Sequence, residues 1–149
     1  MTAPATVYAG AVLLGEIGIL VRGASGSGKS SLLLALLDAD PAAARLIADD
    51  RVILTAVHGR LLADAPPELA GLLEVRGVGL LRVPYVAPAV VRMIVDLVPL
   101  ASCPRLPEES EARTEIDGVP LPRLFLPVGF AGSATRIRLA LRGLFGPAA

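Results

Sequence analysis

Gly23-Ala24-Ser25-Gly26-Ser27-Gly28-Lys29-Ser30 decides the fold of this chain. It fills every fixed position of the phosphate-loop pattern G-x-x-x-x-G-K-[ST]. Its flanks agree. Ile17-Gly18-Ile19-Leu20-Val21 enters the loop as a mostly apolar run, as a buried parallel strand does. From Ser30 to Leu37 the chain is rich in Leu and Ala and free of Gly and Pro, which predicts a helix. Strand, glycine loop and helix together are the setting the motif requires. Gly23, Gly26 and Gly28 open dihedrals closed to other residues, so successive N–H groups turn into one concavity. The helix N-terminus adds free donors and the positive end of a dipole. Lys29 then reaches the outer phosphates, and the Ser30 hydroxyl ligates Mg²⁺. The whole octet, Gly23 to Ser30, is the expected phosphate-binding set.

Outward from the loop, the chain of 149 residues has the size of one domain, expected to span 1–149. With 54% apolar residues but only 3% aromatic ones, its core must be Leu, Val, Ala and Ile. Acids and bases balance at 14 each, with no basic cluster, which argues against a nucleic-acid surface. Cys103 is the only cysteine, so there is no internal disulfide and no cysteine metal cluster; a reducing cytoplasm fits. No apolar run reaches the roughly 20 residues of a membrane span, and the N-terminus lacks the pattern of a secretory signal.

In order, Val7 to Leu14 reads as a strand hairpinned onto Ile17–Val21 through Gly15-Glu16. Asp38 to Pro41 ends the first helix. Arg45-Leu46-Ile47-Ala48 is a short buried strand that delivers Asp49-Asp50 at its C-terminal end, where open α/β sheets bind ligands. Acids there, soon after a phosphate loop, suit Mg²⁺ binding or proton acceptance, and two adjacent carboxylates push one pKa up. Val52–Val57 and Leu61–Ala63 form a hairpin around the turn of His58, the single histidine. Pro66-Pro67-Glu68 opens a short helix through Leu73, and Glu74 to Gly79 is a candidate active-site loop. Leu80–Val83 and Val90–Leu97 read as strands, Pro104–Glu111 as a surface loop, Thr114–Val119 as a hairpin turning at Asp117-Gly118, and Pro122–Val128 as a strand. Ala134–Leu144 is a helix ended by Gly143 and Gly146-Pro147, with Arg136, Arg138 and Arg142 on a solvated face.

The ordered set resembles a known family. The phosphate loop, then Arg45 to Val52, then Ala65-Pro66-Pro67, then Leu72-Leu73-Glu74-Val75-Arg76-Gly77-Val78-Gly79, are similar to the catalytic C-terminal domain of HPr kinase/phosphorylase. Pro120 to Val128 is similar as well, so the likeness runs from about Tyr8 to Leu141, in a short form without the family's N-terminal domain. The resemblance implies an α/β phosphate-loop kinase domain of the HPr kinase/phosphoenolpyruvate carboxykinase type, a mixed β-sheet with flanking helices. It implies ATP- and Mg²⁺-dependent phosphorylation of a serine on HPr or an HPr-like phosphocarrier, in regulation of carbohydrate metabolism. It also implies a reverse phosphorylase activity, use of pyrophosphate, and a cytoplasmic hexamer. Carried over by motif, Lys29 binds phosphates, Ser30 and Glu74 hold Mg²⁺, Asp50 exchanges the serine proton, and Asp49 supports it. The sequence departs from the pattern in three places. The family's His before the loop is Tyr8 here, the arginine after the Glu74 motif has only Arg82 and Arg92 as candidates, and the segment before Asp49 is longer. The alternative reading is a nucleotide-binding regulatory module of the same fold with reduced transfer.

Overall fold

The computed structural model describes residues 5–147. In chain order come β1 (Val7–Tyr8), β2 (Gly10–Leu14), β3 (Ile17–Arg22), α1 (Lys29–Ala39), β4 (Ala44–Ala48), β5 (Arg51–Val57) and β6 (Arg60–Asp64). They are followed by β7 (Leu72–Val75), β8 (Gly79–Arg82), β9 (Ala89–Val98), β10 (Arg113–Ile116), β11 (Val119–Pro127) and α2 (Ser133–Phe145). Nine strands form one mixed sheet in the order β1-β5-β6-β9-β3-β2-β4, with β11 also on β9 and β10 on β11. The ten-residue β9 is the branch point. Its first residues pair with β6 and its last with β11, while β3 runs along its other edge.

Two of these pairings are parallel, β3 with β9 and β9 with β11. Three strand ends therefore open on the same side of the molecule, where ligands bind in such sheets. β3 and β9 are buried on both faces, which explains their unbroken apolar character. Ile19, Val21, Met93 and Val95 face Leu32, Leu33 and Leu36 of α1 and Ile137 and Leu141 of α2. Leu20 and Ile94 face the opposite way, into a second core with Ile47, Val52, Leu61 and Leu121. Both helices thus lie on one face. The other face is covered by the sheet curling over itself, an all-aliphatic core as the composition requires.

Several local expectations need correction. Val7–Leu14 is not one strand, because Val7 and Tyr8 leave β2 and pair with Val52 and Arg51 of β5. The helix expected from Pro66 to Leu73 is only a 3-10 turn at Pro67–Leu69. Gly71 then turns the chain at φ 74°, and Leu72-Leu73 opens β7 instead. Leu73 is fully buried against the helix-side core, so tertiary packing overrides the short local pattern. The Glu74–Gly79 stretch is therefore a strand end and the turn of the β7–β8 hairpin. Gly143 lies inside α2, which continues to Phe145. The Asp117-Gly118 turn is as expected, with positive φ at both residues.

Candidate functional site

The phosphate loop leaves the C-terminal end of β3 and closes into α1. Gly26 and Gly28 sit at φ 78° and 92°, in the left-handed region that side chains resist. Gly23 has no positive φ, and its place is set by packing: a Cβ there would lie 2.5 Å from Ser27 Oγ, folded beneath the loop, and would displace that hydroxyl. Ser27 N–H donates to the Ala24 carbonyl at 3.0 Å, tying the loop across its base. Gly28 is the N-cap of α1 and supplies no side-chain bond. The first amides of the helix therefore remain available to an anion.

Lys29 is 7% exposed. Its Nζ donates to the carbonyls of Gly23 at 2.7 Å and Ala24 at 3.0 Å, arching over the loop. Burial pushes the ammonium below the ordinary lysine range, opposed by the charges of Asp50 and then Asp49. Tyr8 completes this group. Its ring centroid lies 4.1 Å from Lys29 Nζ, a cation–π contact, and its hydroxyl donates to Ser25 Oγ at 3.5 Å. The switch of β1 onto β5 is what brings Tyr8 there.

β4 delivers the acids. Asp49 is 7% exposed and accepts from the Ser30 hydroxyl at 2.8 Å and from the Glu74 N–H at 3.3 Å. Burial pushes its carboxyl above the usual carboxylate range; the Ser30 and Glu74 bonds oppose this, and the charge of Asp50 adds to it. Asp50 is exposed and has φ 69°. Arg51 N–H donates to the Asp49 carbonyl at 2.8 Å, so Asp50 forms the tip of a three-residue turn of strained hand. Such a conformation costs about 1–3 kcal/mol and persists where surroundings enforce it. Here the Ala9 N–H donates to the Asp50 carbonyl at 3.3 Å.

The structure thus brings Lys29, Ser30, Asp49 and Asp50 together, with Glu74 joined through its main chain; the Glu74 side chain is exposed. Of the arginine candidates, Arg92 lies near the far end of β9 and stacks on Phe145 at 4.5 Å. Arg82 ends β8 and is exposed. His58 is exposed in its turn at φ 50°. On α2, Arg138 is not simply solvated: it donates to the Leu36 carbonyl at 2.8 Å and ties the two helices together.

Sequence reasoning missed a charged cluster at the root of the loop. Arg22, the residue before Gly23, holds Asp96 through two bonds of 2.8 and 2.9 Å. Arg123 Nε lies 2.9 Å from the same carboxylate as an ion pair without hydrogen-bond alignment. The cluster fixes β3 against β9 and β11 where the loop departs. Its only signal in the sequence was an acid inside an apolar strand.

The family model described as the HPr Serine kinase C-terminal domain matches residues 1–137. The HPr kinase/phosphorylase of Lactobacillus acidophilus is 37% identical over 123 residues, covering 75% of this chain and 37% of that protein. That of Clostridium tetani is 44% identical over 68 residues, covering 46% of this chain and 21% of the relative. The chain therefore spans well under half the length of these relatives. The solved Hpr(Ser) kinase/phosphatase from Coxiella burnetii superposes with a TM-score of 0.78 at 24% identity, over 95% of this chain and 93% of that one; this is a likeness of fold. No helix among the described residues is long and apolar enough to cross a membrane. The phosphate loop and the Ser30–Asp49 contact behind it lie within the 137 residues that the family model matches, and on that match the chain belongs to the HPr serine kinase C-terminal domain family.

Proposed function

We propose that this chain is a protein serine kinase that uses ATP and Mg²⁺ to phosphorylate HPr or an HPr-like phosphocarrier, and that it also removes the phosphoryl group by phosphorolysis, in which inorganic phosphate attacks the phosphoserine and pyrophosphate is the product. The observation that carries the reading is the contact of Ser30 with Asp49 beside the arched Lys29. A hydroxyl and a carboxylate in contact at the first turn of a phosphate-loop helix fit Mg²⁺, which takes one or two carboxylates along with substrate phosphates. Ser30 and Asp49 would hold the ion, with Glu74 at the rim. Held there, Mg²⁺ would supply positive charge that offsets the negative charge of the donor's phosphates.

The chain's own residues supply the rest. Loop amides from Gly23 to Ser30 cradle the phosphates, and Lys29 swings from its two carbonyls to the outer ones. Asp50, held outward by its strained turn, accepts the serine proton as the Oγ–P bond forms and the bond to the leaving diphosphate oxygen breaks. In phosphorolysis an oxygen of inorganic phosphate forms the bond to phosphorus, the serine Oγ–P bond breaks, pyrophosphate leaves and Asp50 gives the serine oxygen its proton. Most of the work is positioning an oxygen nucleophile and balancing charge.

A second reading is favoured by Tyr8. Its ring stands where the family pattern has an imidazole, and it covers the lysine the reaction needs. On that reading the domain binds nucleotide and signals without efficient transfer. One assay separates the two: incubation with labelled ATP, Mg²⁺ and HPr. Serine labelling that is lost in Lys29→Ala is the expected result. Nucleotide binding without labelling supports the regulatory module instead.

A further inference from the structure

We infer that this chain carries a second binding site, for a free α-amino acid with an aliphatic side chain, at the end of the sheet opposite the phosphate loop. The inference is independent of the phosphate reading. Its cleft opens where two strands part. Along β9, pairing with β6 ends at Val91, opposite Leu61, and pairing with β11 begins only at Ile94, opposite Arg123. Pro120 and Pro122, at the start of β11, carry no N–H to extend that ladder. The gap forms a cavity of about 520 Å³, inside the range of roughly 300–1,000 Å³ typical of small-molecule pockets. The six residues of β3 put it about 20 Å from the phosphate loop.

Arg92 stands in this gap and is skipped on the other side as well. β3 pairs Gly18 with Val91 and Ile19 with Met93, so Arg92 is an extra residue on β9, a bulge. Bulges re-aim a side chain. The Arg92 guanidinium stacks on the Phe145 ring at 4.5 Å, and stacking leaves the donors at its edge free. Arg60 lines the same cleft from β6, and Glu16 lines it from the turn between β2 and β3. All three residues are exposed. Among the described residues the ion pairs are those of Asp96, so neither arginine is matched by Glu16 and both signs of charge stay available.

The floor is aliphatic, made by the buried Leu61, Val91, Val119 and Leu121. No hydroxyl, amide or aromatic side chain lines the cleft, so a sugar or a heterocyclic base finds no side-chain partner there. Two arginines suit a carboxylate, which their planar forks grip by paired bonds. Glu16 suits an ammonium, and the floor suits a short hydrocarbon chain. A peptide terminus offers one of the two charges. A free aliphatic amino acid offers both, on either side of the carbon that carries its side chain.

The test is an amide NMR titration of the full chain with three probes: L-leucine, N-acetyl-L-leucine, which keeps only the carboxylate, and L-leucinamide, which keeps only the ammonium. L-Leucine is expected to shift the amides of Gly59, Leu61 and Val91 saturably, with a Kd of about 1 mM or tighter. Each blocked probe is expected to bind about tenfold more weakly, the scale of a lost charged hydrogen bond. Arg60→Gln and Arg92→Gln are each expected to weaken L-leucine about tenfold. Glu16→Gln is expected to do the same while N-acetyl-L-leucine stays within about twofold. Thermal melts confirm that these exposed variants fold. Lys29→Ala is expected to leave L-leucine within about twofold, as for distant sites; a loss there places the ligand at the phosphate loop and overturns the second site. The absence of saturable shifts at the three amides overturns it too, as does an unchanged affinity in both arginine variants. A blocked probe that binds as tightly as L-leucine overturns the free amino acid as the occupant.

Discussion

At the scale of single residues, the site is a set of charges held in places they resist. Lys29 is buried beside two acids, Asp49 is buried beside another, and Asp50 is kept in a strained turn. A domain selected for stability alone would not keep them. Asp49 gives a direct test through pH. Its folded carboxyl titrates above the ordinary carboxylate value because of burial. Its contribution is therefore fully present at low pH and is lost as pH rises through the folded value. At neutral pH, without a cation, the ionised Asp49 is a liability. Asp49→Asn keeps the shape and removes the charge. In chelator, its urea midpoint is expected to exceed that of wild type at pH 7, with the gap shrinking as pH falls towards 4. A gap that is independent of pH would contradict the account. Much of this scale was legible: the octet, Asp49-Asp50 and Glu74 are local words in the chain. The place of Tyr8 over Lys29 was not, because it depends on β1 leaving β2 for a strand more than 40 residues further on.

Elements show where local reading stops. Strands with strong alternation or a diagnostic turn, such as β5, β6 and β10, emerged near their expected bounds. Leu72-Leu73 did not, since a two-residue apolar step fits a helix or a strand equally, and burial of Leu73 against α1 decided it. Gly18 marks another non-local requirement. The register of β3 on β9 shifts between Gly18 and Ile19. A Cβ at Gly18 would lie 2.2 Å from the Val90 carbonyl oxygen and 2.9 Å from its carbon. That neighbour is backbone in the central strand pair and cannot turn aside. Gly18→Ala is therefore expected to destabilise the fold by about 3 kcal/mol or more, at the upper end for overpacking. Chemical denaturation measures it, and a loss below roughly 0.5 kcal/mol, the range of ordinary surface changes, would show that the two strands have room to separate.

Over the whole molecule, the parallel core β3-β9-β11 gathers the phosphate site at one end. The phosphate loop leaves β3, and the Arg22–Asp96–Arg123 cluster locks the three strands beneath it. The curl of the sheet, which replaces a second layer of helices, was not legible because it arises from strand order. Nothing in composition or periodicity sets that order. The strand order also puts Asp49 and Asp50 beside Lys29, and their division of labour is the centre of the account: Asp49 with Ser30 for the cation, Asp50 for the proton. Parallel measurement of Mg·ATP affinity and HPr serine phosphorylation in Asp50→Asn tests it most directly. The account predicts transfer reduced about 100-fold or more, the scale of a lost general base, with nucleotide affinity within about threefold of wild type. Undiminished transfer in that variant, or a loss of nucleotide binding that matches the loss of transfer, would contradict it.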